Sequence, residues 1–252
     1  MNKAEIQDKE YELPYHHISN FRGYFSQCFN DTWGINYVAT IEFILNRLKE
    51  EEFSSIIDIG CGDGRLTLEL YREFRNKSKI LGVDYSKKAI RQANAVVNAD
   101  IFKCVDITQT TNPEKFDIGL LIEVFEHIEP SYAEEFIHAI FNYLEENAIL
   151  YVTVPHINKP VEYKHYRHFS FKSIVDCFEK NFEVLEIIPF EKIDFRKKLI
   201  DKILTNKYFI LNHSKTKNFL YRYYKEKLFF TKDEKNCQRI FLKLKKKRLE
   251  QK

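Results

Sequence analysis

Apolar positions fall into short runs separated by amphipathic stretches, the alternation expected when strands of a largely parallel sheet are joined by helices. Val38, Ile41, Leu45 and Leu48 recur at helical spacing. They predict a helix capped by Asp31 or Thr32, running to about Glu50, with that face in the core. Ile56 and Ile57 predict a buried strand, residues 66–74 (LTLELYREF) a helix and residues 79–84 (KILGVD) a second strand. Val105 and Asp106 fall in a third strand (CVDI), and residues 116–123 (FDIGLLIE) form a fourth. Helices over 132–145 and 171–181 then alternate with strands over 149–154 and 182–189. The fold class this predicts is α/β, a doubly wound sheet that is mostly parallel.

Residues 192–235 change character. Phe219, Leu220, Tyr223, Tyr224 and Leu228 make a stripe at helical spacing. From Cys237 to Lys245 the period becomes two, with Ile240, Leu242 and Leu244 opposite Arg239, Phe241 and Lys243, which predicts a last, antiparallel strand. The chain thus divides into an N-terminal lid segment and helix (1–50), a core (51–191), a basic aromatic helical insertion expected to cap the acceptor (192–235), and a last strand with a basic tail (236–252). Within the first part, residues 11–27 are aromatic, carry Tyr15, His16 and His17, and lack clean periodicity. They read as a lid or entry segment.

Chemistry concentrates where the first strand ends. Gly60, Gly62 and Gly64 place three of the chain's seven glycines within five residues (DIGCGDG), between a strand and a helix whose N-terminus faces any ligand there. Asp84 ends the next strand about twenty residues on, where a carboxylate accepts hydrogen bonds from a ribose diol. A dinucleotide site of the GxGxxG kind would have a third glycine at position 65, and this chain has Arg65. The diphosphate reading loses ground.

Together DIGCGDG, GVDYS, Asp106 and FDIGLLIEVFEHI resemble the seven-stranded, S-adenosylmethionine-dependent class I methyltransferases over roughly residues 50–190. The resemblance implies S-adenosylmethionine as cofactor. It sets Gly60, Cys61 and Gly62 against the methionine part, Asp58 beneath its ammonium, Asp84 at the ribose, Asp106 and Ile107 at the adenine, and Tyr85 and Glu123 among the cofactor contacts. Methyl transfer to a hydroxyl is a displacement that also needs a proton removed. His127 (EVFEH) is the first candidate base, with Glu123 beside it and His165 or His168 (KHYRHFS) as alternatives. Tyr15, His16, His17 and Arg167 are the candidate acceptor contacts. The ExxEH and distant HxxH pattern also resembles small-RNA 2′-O-methyltransferases of the Hen1 type, which implies a metal alternative held by Glu123, Glu126, His127 and His168. Similar EVxEH stretches occur in metal-free small-molecule enzymes resembling those of ubiquinone biosynthesis, so metal dependence stays open. The overall layout resembles bacterial enzymes that decorate surface polysaccharides or their nucleotide-linked precursors. The readings in play are O-methylation of a polar small molecule or such a precursor, metal-dependent RNA 2′-O-methylation, and a cofactor-binding protein without turnover.

Charge adds a bias toward anionic partners. The formal net charge is +3, yet the chain carries about −11 before Lys192 and +14 from there on. Arg222, Lys225 and Lys227 lie among Tyr221, Tyr223, Tyr224, Phe229 and Phe230. This stretch suits an anionic glycan-type acceptor, RNA or a lipid surface, or else is an amphipathic helix with solvated lysines. The cluster at 243–248 (KLKKKR) reads as a solubilising end. Five scattered cysteines without CxxC spacing fit a reducing cytoplasm, and no apolar run approaches the roughly 20 residues of a bilayer span.

Overall fold

The computed structural model of the protein describes residues 3, 5, 34–97, 99–206, 208–211 and 213–248. Asp31, Thr32 and the lid residues Tyr15, His16 and His17 lie outside them.

Seven strands form one sheet in the order β3-β2-β1-β4-β5-β7-β6. They are β1 (Ser55–Ile59), β2 (Lys79–Asp84), β3 (Phe102–Cys104), β4 (Phe116–Ile122), β5 (Leu144–Pro155), β6 (Phe182–Lys192) and β7 (Cys237–Lys246). Pairing is parallel from β3 to β5, and β7 runs antiparallel to both of its neighbours. Seven helices accompany the strands among the described residues: α1 (Gly34–Leu48), α2 (Arg65–Phe74), α3 (Lys87–Val96), α4 (Ala133–Asn142), α5 (Phe171–Phe178), α6 (Phe195–Leu204) and α7 (Ser214–Tyr224). The sheet order reverses between β1 and β4, and ligands of such sheets gather at strand C-termini beside that point.

Two apolar layers sandwich the sheet. Phe125, Phe136, Ile140, Phe178 and Leu242 belong to one, Ile44, Leu48, Leu70, Tyr151 and Phe241 to the other. Each β7 side chain takes its face as the period of two requires.

Several boundaries differ from the pattern reading. The third strand stops at Cys104, so Val105 and Asp106 follow it. Asp106 is instead drawn into capping a short 3₁₀ turn, its carboxylate accepting from Thr108 N. The helix expected over 132–145 ends at Asn142, because residues from Leu144 onward are recruited into β5 beside Phe116. The helix expected to 181 ends at Phe178. On α1, Val38 is exposed and the buried row runs through Ala39, Ile41, Ile44 and Leu48. Ile44, absent from the expected stripe, rotates that face toward the sheet.

The 192–235 insertion straps across the α1 side. Tyr224 is fully buried and donates to Asn36 Oδ1 at 2.7 Å, while Tyr221 and Lys225 both donate to Glu42, at 2.6 Å each. Lys225 is therefore a structural cation, whereas Arg222 and Lys227 face solvent. Phe219, expected in the packed stripe, is 56% exposed. The basic tail is also less solvated than its composition suggests. Lys246 is buried, donating to the carbonyls of Phe141 and Leu144 at 2.8 and 2.6 Å. No helix among the described residues is long and apolar enough to cross a membrane.

Candidate active site

The turn after β1 is fixed from β2, since Gly60 N–H and Cys61 N–H both donate to the Val83 carbonyl, at 2.8 and 3.0 Å. The glycines have different reasons to be there. A Cβ on Gly60 would lie 2.6 Å from Val124 Cγ2, so that glycine serves the packing of the β1 turn on the β4 turn. Gly62, at φ +56°, donates its N–H to Asp84 Oδ2 at 3.0 Å, while Ser86 N–H donates to Oδ1 at 2.8 Å. Asp84 is thereby aimed by two backbone donors, and a carboxylate offers acceptors only. A carboxylate acceptor held there fits the hydroxyls of a ribose diol at the end of β2.

Asp58 is buried and receives Thr67 Oγ1 at 2.6 Å. Loss of solvent, with a smaller push from Asp84, raises its carboxyl to about 7 despite the Thr67 bond. It thus sits beneath the turn, committed to α2. Cys61 is also buried, which drives its thiol pKa far up and leaves it unreactive. Tyr85 is half exposed beyond Asp84. Ile107 is in the core, and one oxygen of Asp106 is occupied by Thr108 N–H and hydroxyl at 3.0 and 2.7 Å.

Replacing Gly62 by valine is expected to weaken S-adenosylhomocysteine binding at least about tenfold. A left-handed conformation costs a residue with a Cβ roughly 1–2 kcal/mol, and relaxing it breaks the bond that aims Asp84. Calorimetry on a variant of unchanged melting temperature checks this, and NAD should give no heat with either protein.

Beyond β4 the chain gathers titratable groups. Glu126 is 1% exposed, and Tyr166 N–H donates to its carbonyl at 2.9 Å, tying the turn after β4 to the loop after β5. His168 Nδ1 lies 2.8 Å from the Lys159 carbonyl, which only accepts, so Nδ1 carries the proton and Nε2 is the acceptor. His165 Nδ1, 2.8 Å from His168 Nε2, must then donate. That chain leaves His165 Nε2 as a bare lone pair, buried and without a partner among the described residues, like Glu126 Oε2. The His127 ring stands edge-on to His165, centroids 4.7 Å apart, with Nδ1 3.4 Å from the Lys164 carbonyl.

One ligand atom each from Glu126, His127 and His165 lies within 4.8 Å of the others. The two orphaned atoms and the mixed oxygen and nitrogen donors fit a divalent cation, and these three residues would hold it. The set differs from the sequence expectation in two members. Glu123, at φ +56°, is turned to Arg239 Nε at 2.8 Å and the Thr153 hydroxyl at 3.1 Å. His168 stands behind His165, orienting it. Arg167, expected at the acceptor, has its guanidinium over the Phe125 and Phe169 rings at 5.3 and 5.0 Å. Thr153 and Arg239, whose partner Glu123 lies 30 and 116 residues away, leave no local signal in the sequence, and neither do the roles of Thr67 and Glu191.

Burial and the adjacent His127 and His168 push the His165 imidazole down to about 2, and burial lowers His168 too. The unfolded chain takes up these protons near pH 6.5, so the folded protein's stability is complete above that pH and is lost as pH falls below it. The expected decline is up to about 1.4 kcal/mol per pH unit for each such group. Glu126 acts in the opposite sense. Burial, then Glu123, raises its carboxyl well above 4.5, so its contribution fades as pH rises through that shifted value. Urea melts in metal-free buffer should show a shallower acid-side slope for His165→Gln and a gain above neutrality for Glu126→Gln. Slopes identical to the parent would contradict buried neutral groups.

Residues 56–147 match the family described as a methyltransferase domain. A protein-lysine N-methyltransferase of Saccharolobus islandicus is 30% identical over 117 residues, covering 40% of this chain and 70% of that protein. A small RNA 2′-O-methyltransferase of Arabidopsis thaliana is 29% identical over 38% of this chain and 12% of its own length. An (S)-coclaurine N-methyltransferase of Thalictrum flavum subsp. glaucum is 28% identical over 58% of this chain. The chain spans only 43% of that last protein's length. The structure of N-methyltransferase NodS from Bradyrhizobium japonicum WM9, in complex with S-adenosyl-L-homocysteine, superposes with a TM-score of 0.63. It is 12% identical, and the match covers 98% of this chain and all of that one. With the sheet order, the β1 turn and Asp84 already described, the chain belongs to the class I S-adenosylmethionine-dependent methyltransferases. S-adenosylmethionine is the cofactor.

Proposed function

We propose that the protein methylates an oxygen of a polar, hydroxyl-bearing acceptor, a sugar or a nucleotide-linked precursor of a surface polysaccharide. The observation that carries the reading is the Lys159–His168–His165 chain, which presents a bare imidazole nitrogen beside His127 and Glu126. A hydroxyl becomes strongly acidic as its oxygen is methylated, and neutral imidazoles are suited to take that proton. His127 is the general base and His165 its neighbour in the site. Asp84 and the turn around Gly62 hold the cofactor so that its methyl group faces them. The insertion, tied through Lys197 to Glu191 of β6 and thence to Arg239 beside Glu123, caps the acceptor.

A second reading is supported by the 4.8 Å grouping of Glu126, His127 and His165. A divalent ion there would bind two vicinal hydroxyls and acidify one, which suits an RNA 3′ end and matches the name of the Arabidopsis relative. The names of the lysine and coclaurine relatives specify nitrogen acceptors.

Labelled S-adenosylmethionine offered with nucleotide-sugar, glycan, RNA and protein fractions separates the readings. Alkali-stable label in the sugar or glycan fraction, undiminished by EDTA, is the expected result. Label on RNA that EDTA abolishes and manganese restores favours the second reading. Label on lysine or another amine overturns oxygen transfer, and cofactor binding without turnover on any fraction leaves a protein that only binds.

A further inference from the structure

We infer that the outer face of the 192–235 insertion docks on an anionic lipid bilayer. α6 places Phe195, Lys198, Leu199 and Lys202 at i, i+3, i+4 and i+7, with Phe195 77% and Leu199 55% exposed, while Ile200 on the inner side is buried. The segment after α6 carries Tyr208, Phe209 and Ile210 into solvent, Tyr208 at 95% exposure. α7 repeats the arrangement, with Lys215, Phe219 and Arg222 outward and Tyr224 buried.

The cations of the insertion are sorted in the same way. Those turned inward are matched: Arg196 to Asp194, Lys197 to Glu191 and Asp201, Lys225 to Glu42. Those turned outward, Lys198, Lys202, Lys215, Lys217, Arg222, Lys227, Lys232 and Lys235, have no ion pair among the described residues. Large apolar side chains set among uncompensated lysines match the boundary between acyl chains and anionic headgroups, where rings and aliphatic tips enter while ammonium groups stay at phosphate level. A nucleic-acid surface would be expected to rely on stacking rings and arginine. The apolar members here include Leu199 and Ile210, and seven of the eight outward cations are lysines. This docking is argued from the outer face of the insertion alone and does not depend on the reading of the active site.

The test is flotation of the full chain with phosphatidylcholine vesicles containing about 30% phosphatidylglycerol. Binding to these should exceed binding to pure phosphatidylcholine at least about tenfold and should weaken with salt. The triple substitution Tyr208→Ser, Phe209→Ser, Ile210→Ser should lower partitioning at least about tenfold, as should Lys198→Glu with Lys202→Glu and Lys215→Glu. Melting temperature and S-adenosylhomocysteine affinity should stay at parent values. If the triple variant melts early, Phe209→Ser alone carries the comparison. Failure to bind anionic vesicles, equal binding to pure phosphatidylcholine, or full binding by a folded serine variant overturns the inference. So does tighter binding to single-stranded RNA that survives the serine substitutions. Because cofactor affinity is read separately, a negative vesicle result leaves the methyltransferase assignment standing.

Discussion

His127→Ala is expected to lower turnover on the acceptor by about 10² to 10⁴, the usual range for lost general acid-base help, while S-adenosylhomocysteine affinity stays near the parent value. His127 stands in the turn after β4 against His165, whereas Gly62 and Asp84, proposed to hold the cofactor, lie after β1 and at the end of β2. Removing the ring should therefore spare cofactor binding and strike the chemical step. Added manganese adds a discriminating readout, restoring part of the rate if His127 holds a metal and none if the ring is the base. Steady-state kinetics of His127→Ala and His127→Gln, with melting curves as control, measure both. Turnover unchanged in both variants would reduce His127 to a packed side chain.

Arg239→Ala is expected to cost about 3–5 kcal/mol of stability, because the change removes the guanidinium that pairs with both the buried Glu191 and the partly buried Glu123. Arg239 is 5% exposed and joins Glu123 from β4's end to Glu191 from β6. Lys197 of α6 reaches the far oxygen of Glu191 at 3.2 Å. The two acids have φ values of +56° and +57°, a backbone strain that the shared guanidinium helps to hold. For a chain of this size each kcal/mol moves the melting temperature by roughly 2–4 °C, so a fall of about 6–20 °C should be seen. Adding Glu191→Gln to Arg239→Ala should recover part of it by removing a buried charge that has lost one of its two cations. A loss under about 1 kcal/mol would mean that water solvates the pair as it does at a surface.

The sequence by itself carried the layered architecture and the cofactor. Strand runs at β1, β2 and β4, the glycines at 60, 62 and 64 and the acid at 84 are local signals, because backbone period, turn chemistry and strand-end placement are written in consecutive residues. The antiparallel β7 was legible for the same reason. Local signals blurred where partners compete: residues 144–148 were drawn from helix into strand by pairing with β4, and Asp106 from strand into a cap by Thr108. Histidines could be nominated from sequence, but their roles could not. Whether His165 or His168 faces the site depends on a hydrogen-bond chain anchored at Lys159, and Glu123 was diverted by Arg239, which lies 116 residues away. Composition likewise gave a basic C-terminal quarter without saying which cations are neutralised. Only packing decided that Lys225 and Lys246 are structural while Lys198, Lys202 and Arg222 face outward, since burial and ion pairing depend on distant residues that the chain brings together on folding.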